Sequence, residues 1–484
     1  MRVTNRIALV SKLLSRAGRR LAVLVRPKLV ATVLIAGVAG AERPAEPPNL
    51  VVIIADDLGY ADVGFNGCED IPTPSIDRIA AEGVRFTSGY VTAAVCGPSR
   101  AGLITGRYQH RFGSSLNPTV DPSVPNGVPR DERTIAEMLK PAGYDTMAVG
   151  KWHLGTFPGL RPRERGFDEF YGFLSGGHNY FPENLTLEDL SEVRQKWGWY
   201  RTKLLHNGER VGTDDYLTDE LSDAAVEFIG RDRESPFFVY LAYNAPHTPL
   251  QATEEYLSRF PGLEGDRRTY AAMVSAMDDG IGRVLDALDR RDVADNTLVV
   301  FLSDNGGAKN NASSNGALRG WKGDLFEGGV RVPFAMRWPA ELPAGVDYDE
   351  AMTSMDIAAT IVVAAGPEAA AALDPSKPLD GVDIRPYVRG EVASLPYESI
   401  YWWKPTRGDY ALRRGNMKLV DLGKDGGEGV FAFAISHDRG ETRSIAEHSA
   451  SVVAEMVRSV REWASGMVPP AYPGLGSWKP GEGR

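Results

Sequence analysis

Leu50-Val51-Val52-Ile53-Ile54-Ala55 is an unbroken apolar run, rich in β-branched residues and without polar alternation. A strand with one wet face alternates. A strand that does not alternate is covered on both faces, as in a parallel sheet with helices on either side. The run stops abruptly at Asp56-Asp57-Leu58-Gly59. Leu298-Val299-Val300-Phe301-Leu302-Ser303 repeats the pattern and stops at Asp304-Asn305-Gly306-Gly307. In open α/β sheets, function gathers at the carboxyl ends of the strands. If these two strands are neighbours, three carboxylates and one amide oxygen meet there. Clustered carboxylates repel each other and call for a cation. An all-oxygen set suits a hard one, Ca²⁺ or Mg²⁺, rather than zinc.

Other segments extend the pattern. Tyr144 to Val149 and Phe237 to Tyr243 read as further buried strands. Asp214 to Gly230 has helical apolar spacing at Leu217, Leu221, Ala225 and Phe228, and Tyr270 to Leu288 carries Met273, Met277, Ile281, Val284 and Leu288 on one face. Strands alternating with helices predict a doubly wound α/β domain. An Ala- and Pro-rich linker follows, from Pro367 to Pro386. Beyond it, Tyr397 to Trp403, Tyr410 to Arg413, Met417 to Val420 and Gly429 to Ala434 read as short strands, and Ile445 to Trp463 as a closing helix. The 484 residues exceed one ordinary domain. The expected division is a larger unit over 49–386 and a smaller antiparallel sheet with a helix over 387–484.

The amino terminus reads differently. Residues 1–28 carry Arg2, Arg6, Lys12, Arg16, Arg19, Arg20, Arg26 and Lys28 with no acid, and Leu29 to Ala39 is apolar. Ala39-Gly40-Ala41 offers a cleavage site, and a Pro-rich spacer covers 42–48. This predicts a secretory signal peptide over 1–41, handed to the secretion machinery, and a periplasmic or extracellular product. An uncleaved amphipathic anchor is the alternative. The apolar run is shorter than the roughly 20 residues that a membrane-spanning helix needs. The net charge of −10 argues against a non-specific nucleic-acid binder, and the two cysteines, Cys68 and Cys96, exclude a disulfide framework.

Cys96 opens the run Cys96-Gly97-Pro98-Ser99-Arg100-Ala101-Gly102-Leu103-Ile104-Thr105-Gly106-Arg107. On its own, a cysteine before a Pro-initiated helix is an ordinary buried residue. Ser99 within Gly97-Pro98-Ser99-Arg100-Ala101 loosely imitates a nucleophile elbow but lacks the second glycine. The whole run resembles the C-x-P-S-R…T-G-R signature of the type I sulfatases of the alkaline phosphatase superfamily. The resemblance implies that Cys96 is converted after translation to formylglycine (3-oxoalanine) by a formylglycine-generating enzyme. It also implies an α/β fold, with a large mixed sheet flanked by helices and a smaller C-terminal domain of antiparallel sheet plus helix.

Further segments resemble the same family. Gly150-Lys151-Trp152-His153-Leu154-Gly155 matches its G-K-W-H-L-G segment, Ala245-Pro246-His247-Thr248-Pro249 its A-P-H-x-P segment, and Lys322 to Pro333 its K-G-x-x-x-E-G-G-x-R-V-P stretch. By resemblance, Asp56, Asp57, Asp304 and Asn305 bind Ca²⁺, or Mg²⁺, together with residue 96. One hydroxyl of the aldehyde hydrate attacks sulfur, and the alcohol leaves with a proton from His247 or Lys322. His153 takes a proton from the second hydroxyl, and Arg100 and Lys151 stabilise the hydrate and the sulfate oxygens. The chemistry is consistent on general grounds: an anionic ester needs cations, and proton transfers need groups that titrate near neutrality. His178 and Asn179, in Ser175-Gly176-Gly177-His178-Asn179, resemble a family segment beside the active site and are candidate substrate contacts. Trp197, Trp199, Tyr200, Trp402 and Trp403 could stack on sugar rings or fill a core edge. A sulfated carbohydrate and a simple aryl sulfate both stay open as substrates. A phosphoester or phosphonate hydrolase of the same superfamily and a non-catalytic carbohydrate binder are the rival readings.

Overall fold

The computed structural model describes residues 46–393, 396–423 and 429–475. The expected signal peptide, 1–41, and the first part of the spacer, 42–45, lie outside them. Among the described residues, no helix is long and apolar enough to cross a membrane.

A ten-stranded mixed sheet organises the molecule. Its strands run in the order Val346–Tyr348, Val84–Phe86, Phe334–Arg337, Thr297–Ser303, Asn49–Ala55, Phe237–Ala242, Asp145–Lys151, Glu169–Phe173, Leu204–His206, Glu209–Val211. The stretch from Thr297–Ser303 to Glu169–Phe173 is parallel throughout. Phe334–Arg337 and the hairpin Leu204–His206/Glu209–Val211 are antiparallel additions at the two sides. The continuous apolar runs are explained by two-sided burial. Leu50, Val52 and Ile54 share a core with Ile104, Ile357 and Ile361. Val51, Ile53 and Ala55 share another with Leu221, Met273 and Met277. Burying each large apolar side chain contributes about 1.5–3 kcal/mol, so both faces of one strand hold helices down. Helices Leu217–Gly230 and Gly265–Arg290 cover one face; Cys96–Thr105, Ile135–Leu139 and Met355–Ala365 cover the other.

The boundaries differ from expectation in places. Helix Cys96–Thr105 begins at the cysteine itself rather than near Pro98, and Gly106, with φ 66°, ends it in the left-handed conformation that glycine accepts readily. The strand expected to end at Val149 runs on to Lys151. The linker holds two short helices, Pro367–Ala371 and Arg385–Val388. The last helix starts only at Ala450 and runs to Ser465.

The four C-terminal strands, Ile400–Lys404, Asp409–Arg414, Met417–Asp421 and Val430–Ala434, form an antiparallel meander. Its Leu412, Leu419 and Ala432 pack on the closing helix through Val453, Met456 and Val460. A buried charge network ties this sheet to the short helix Glu327–Val330. The Lys418 ammonium lies 2.8 Å from Glu327 Oε1 and 3.2 Å from Glu441 Oε1. The Glu327 amide donates to Glu441 Oε2 at 2.6 Å, and its carboxylate takes Arg331 at 3.0 Å and the Tyr90 hydroxyl at 2.7 Å. Burial alone would raise the Glu327 pKa, but Lys418, Arg331 and Arg413 hold it down to about 2. Removing one partner of such a buried group strands the others. Lys418→Met is therefore expected to destabilise the fold by about 3 kcal/mol, read as a lower midpoint in denaturant unfolding; an unchanged midpoint would contradict this role.

Candidate active site

Sheet register builds the centre of the site. Asn49–Ala55 and Thr297–Ser303 pair in parallel with Ala55 opposite Ser303, so Asp56 and Asp304 leave the sheet side by side. The Asp304 amide donates to the Ala55 carbonyl at 3.0 Å. Asp57 has φ 64°, a left-handed backbone that aspartate tolerates better than most residues. That turn sends its amide to Asp304 Oδ1 at 3.3 Å and its carboxylate to Asn305 Nδ2 at 2.7 Å.

Each carboxylate faces at least one cation. Lys151, at the end of the strand two places away from Asn49–Ala55, lies with its ammonium 2.5 Å from Asp56 Oδ2. Lys322 reaches Asp57 at 2.7 Å, and its amide is anchored on the Gly307 carbonyl at 2.9 Å. Arg100 donates from Nε to Asp304 Oδ2 at 2.8 Å and from Nη1 to the Lys151 carbonyl at 3.1 Å. Cys96 and Arg100 are four residues apart on one helix and so share a face. The Gly97 amide at the start of that helix is met by Asn117 Oδ1 at 2.9 Å.

Two histidines flank the cluster. His247 Nε2 is 3.6 Å from Asp57 Oδ2, and its Nδ1 is 2.6 Å from the Thr248 carbonyl. That carbonyl accepts a hydrogen only, so it fixes the tautomer protonated at Nδ1 and leaves Nε2 to exchange protons. His153 packs on Gly176, where a Cβ would sit 2.7 Å from the ring. Neither His153 nitrogen has a hydrogen-bond partner among the described residues.

Burial dominates the electrostatics. It pushes the Cys96 thiol up to about 12 against the pull of Lys151 and Lys322, so an unmodified Cys96 carries almost no thiolate at neutral pH and is a poor nucleophile. Burial, reinforced by Lys151 and Arg100, keeps His153 well below the usual histidine range and therefore neutral. Burial also lowers His247, with Asp56 and Asp57 opposing. For Asp56, burial is outweighed by Lys151, His247 and Arg100, which hold it well below the usual carboxylate range. Asp304 is pushed up to about 6 by burial and by Asp56, with Arg100 opposing.

The cluster could hold a metal ion. One ligand atom from each of Asp56, Asp57, Cys96 and His247 lies within 4.8 Å of the others. Asp56 Oδ1 and Asn305 Oδ1 are buried and have no hydrogen-bond partner among the described residues. Buried oxygens left in this way need a partner, and a divalent ion would be one. Asp304 lies beside these atoms, its Oδ2 accepting from Arg100 and its Oδ1 from the Asp57 amide.

The substrate candidates are placed differently. His178 is fully buried, stacks on Phe173, and has both ring nitrogens against the carbonyls of Asn179 and Thr202. Asn179 is half-buried, and its amide donates to the Tyr200 carbonyl at 3.0 Å. Tyr200 itself stands edge-on to His247, ring centroids 6.4 Å apart. In the sequence it was one aromatic among five, with no sign that it borders the cluster.

The sulfatase family model matches residues 48–367. The chain belongs to the sulfatase family. N-acetylgalactosamine-6-sulfatase of Homo sapiens is 34% identical over 411 residues, covering 78% of this chain and 75% of that protein. The uncharacterized sulfatase YdeN of Escherichia coli is 31% identical over 409 residues, covering 73% and 68%. The crystal structure of Ps i-CgsB in complex with k-i-k-neocarrahexaose superposes with a TM-score of 0.82 at 39% identity, covering 88% of this chain and 95% of that one. This sulfatase is thus a sulfuric ester hydrolase, and its mixed sheet with a small C-terminal antiparallel sheet is the architecture of its relatives. Family membership implies a formylglycine and a divalent metal, and the Asp56, Asp57, Cys96 and His247 cluster is where a metal fits.

Proposed function

We propose that this sulfatase removes sulfate from a sulfated carbohydrate, with Cys96 matured to formylglycine and Ca²⁺ held by Asp56, Asp57, Asp304 and Asn305 beside it. The observation that carries the reading is the convergence of Lys151, Lys322 and Arg100 with Asp56, Asp57 and Asp304 around a buried Cys96 at the carboxyl edge of the sheet. The matured residue supplies, as its hydrate, a hydroxyl that attacks sulfur and a second one through which sulfate is expelled, while the cation offsets negative charge.

The chain's own groups do the rest. Lys151 and Lys322 are paired with carboxylates in the structure. Asp56 and Asp57 would hold a bound divalent cation, and both ammonium groups would then be free for the sulfate oxygens. Arg100 keeps its bond to Asp304 and fixes the helix that carries residue 96. His153, neutral and without a hydrogen-bond partner among the described residues, accepts a proton. His247, once protonated at Nε2 as well, gives that proton to the departing alcohol; Lys322 is the alternative donor. Asp57 Oδ2, 3.6 Å away, favours the protonated imidazole. The carbohydrate reading draws support from N-acetylgalactosamine-6-sulfatase and from the neocarrahexaose complex. The basic leader and Ala39-Gly40-Ala41 support export to the periplasm or beyond.

The test is leaving-group dependence. His247→Ala is expected to slow hydrolysis of sugar sulfates about 10²–10⁴-fold, the usual scale of general-acid catalysis. The loss should be much smaller for activated aryl sulfates, because a good leaving group needs little protonation. Equal losses on both classes would show that His247 is not the acid.

A further inference from the structure

The structure sorts the five aromatics that the sequence left equivalent. Trp199 and Trp402 are 0% exposed. The Trp402 indole donates to the Val91 carbonyl at 2.7 Å, and Trp403 stacks on Tyr410 across the small sheet. Trp197 and Tyr200 rest on Trp199, their ring centroids 5.1 and 6.1 Å from its own. Trp197 is 49% exposed, the largest side chain among the exposed hydrophobic residues of the described chain. Its ring centroid is 5.8 Å from that of Tyr200, and Tyr200 in turn meets His247 edge-on at 6.4 Å. The three rings form a path from the proton-donating histidine out to solvent.

The path is built from both sides. Gly176 and Gly177 are adjacent: a Cβ on the first would strike the His153 ring at 2.7 Å, and one on the second would strike the Tyr200 hydroxyl at 2.5 Å. Only glycine at both places lets the two side chains close in together. The Asn179 amide then holds the Tyr200 carbonyl at 3.0 Å. Trp197 itself has φ 68°. Left-handed backbone is unfavourable for a bulky residue, and such outliers cluster at ligand clamps. Gly198, next in the chain, would have taken that conformation at no such cost. The ammonium of Lys196 stands 5.0 Å over the Trp197 ring, which places a cation beside an exposed aromatic in a protein of net charge −10.

We propose that Trp197 and Tyr200 form a stacking platform for a sulfated oligosaccharide, Tyr200 facing the ring that bears the scissile ester and Trp197 the next ring along. The inference rests on the carbohydrate sulfatase reading above. A pyranose has an apolar face of axial C–H groups and a rim of hydroxyls. It suits an aromatic whose face is wet at one side, as exposed Trp and Tyr are. Tyr200 borders His247, so a single-ring substrate reaches it; Trp197 lies a full ring further out and meets only a second sugar. Lys196 offers a counter-charge to a sulfate on that second unit. The preferred substrate is therefore at least a disaccharide.

The experiment is steady-state kinetics of the matured, metal-loaded enzyme and its Trp197→Ala and Trp197→Phe variants. The substrates are sulfated carrageenan-type and chondroitin-type oligosaccharides beside 4-nitrophenyl sulfate. Trp197→Ala is expected to raise KM for at least one oligosaccharide about tenfold more than KM for the aryl sulfate, with kcat moving less, as removal of a binding contact does. Trp197→Phe should recover most of that difference. Trp197→Asn, which accepts the left-handed backbone, replaces the alanine variant if the latter melts early. Equal changes on both substrate types, or no recovery by phenylalanine, would overturn the platform. So would a wild-type enzyme that cleaves the aryl sulfate but neither oligosaccharide, and that result would leave the sulfatase reading standing. A wild-type enzyme inactive on every sulfate ester would instead count against the catalytic reading.

Discussion

Cys96→Ala is expected to abolish sulfate ester hydrolysis, with a loss of about 10⁴-fold or more, the scale on which removal of a nucleophile acts. The fold should survive. Cys96 is buried at the start of helix Cys96–Thr105, and trading a thiol for a hydrogen there opens only a small cavity, on the order of 1 kcal/mol. The thermal midpoint of the variant should therefore stay within a few degrees of the parent. Cys96→Ser should be impaired on a similar scale. A serine hydroxyl can attack once, but it has no second hydroxyl through which sulfate can be released. Substantial turnover by either variant would remove residue 96 from the chemistry.

Asp304→Ala should cost more than the loss of one charge implies. Its carboxylate accepts from Arg100 Nε at 2.8 Å and from the Asp57 amide at 3.3 Å. Truncation strands a fully buried guanidinium, an effect of about 3–5 kcal/mol on stability where one partner of a buried pair is removed. It also strips an oxygen from the proposed cation site, so activity should fall about 10²-fold or more. A melting experiment with added Ca²⁺ separates the two effects. Parent enzyme stripped with a chelator should regain stability and activity as Ca²⁺ is restored, while Asp304→Ala should respond only at much higher concentration. Full activity of chelated, demonstrably metal-free parent enzyme would exclude the cation from the mechanism.

Much of this site could be read before the structure because of where its residues lie in the chain. Asp56, Asp304, Lys151 and His247 each end or follow an apolar run, and a parallel sheet delivers the ends of its strands to one edge. The order of those strands was not legible. Nothing in Leu50 to Ala55 says that Leu298 to Ser303 lies on one side of it and Phe237 to Ala242 on the other; register is settled by packing on both faces. The hairpin Leu204–His206/Glu209–Val211 did carry a signal. Asn207 and Gly208 both have positive φ, 53° and 102°, as a tight two-residue turn requires. Its strands are too short to show alternation. Lys418 and Glu441 were harder still. Each lies far from Glu327 in sequence, each is one charged residue in a short segment, and their value exists only once the small sheet docks. Tyr200 gave no signal because bordering His247 is a property of the packing around Gly177, not of the local sequence.

The central claim is that an active enzyme carries an aldehyde at position 96. Mass spectrometry of the peptide spanning Cys96 from a preparation of measured activity tests it most directly. Conversion of CH₂SH to CHO removes one sulfur and two hydrogens and adds one oxygen, so the peptide should be lighter by about 18 Da, or close to its unmodified mass when hydrated. A carbonyl-reactive hydrazine should label it, which separates the hydrate from the thiol. The modified fraction should rise in proportion to specific activity across preparations. A fully active preparation whose residue 96 is wholly an unmodified thiol would contradict the account.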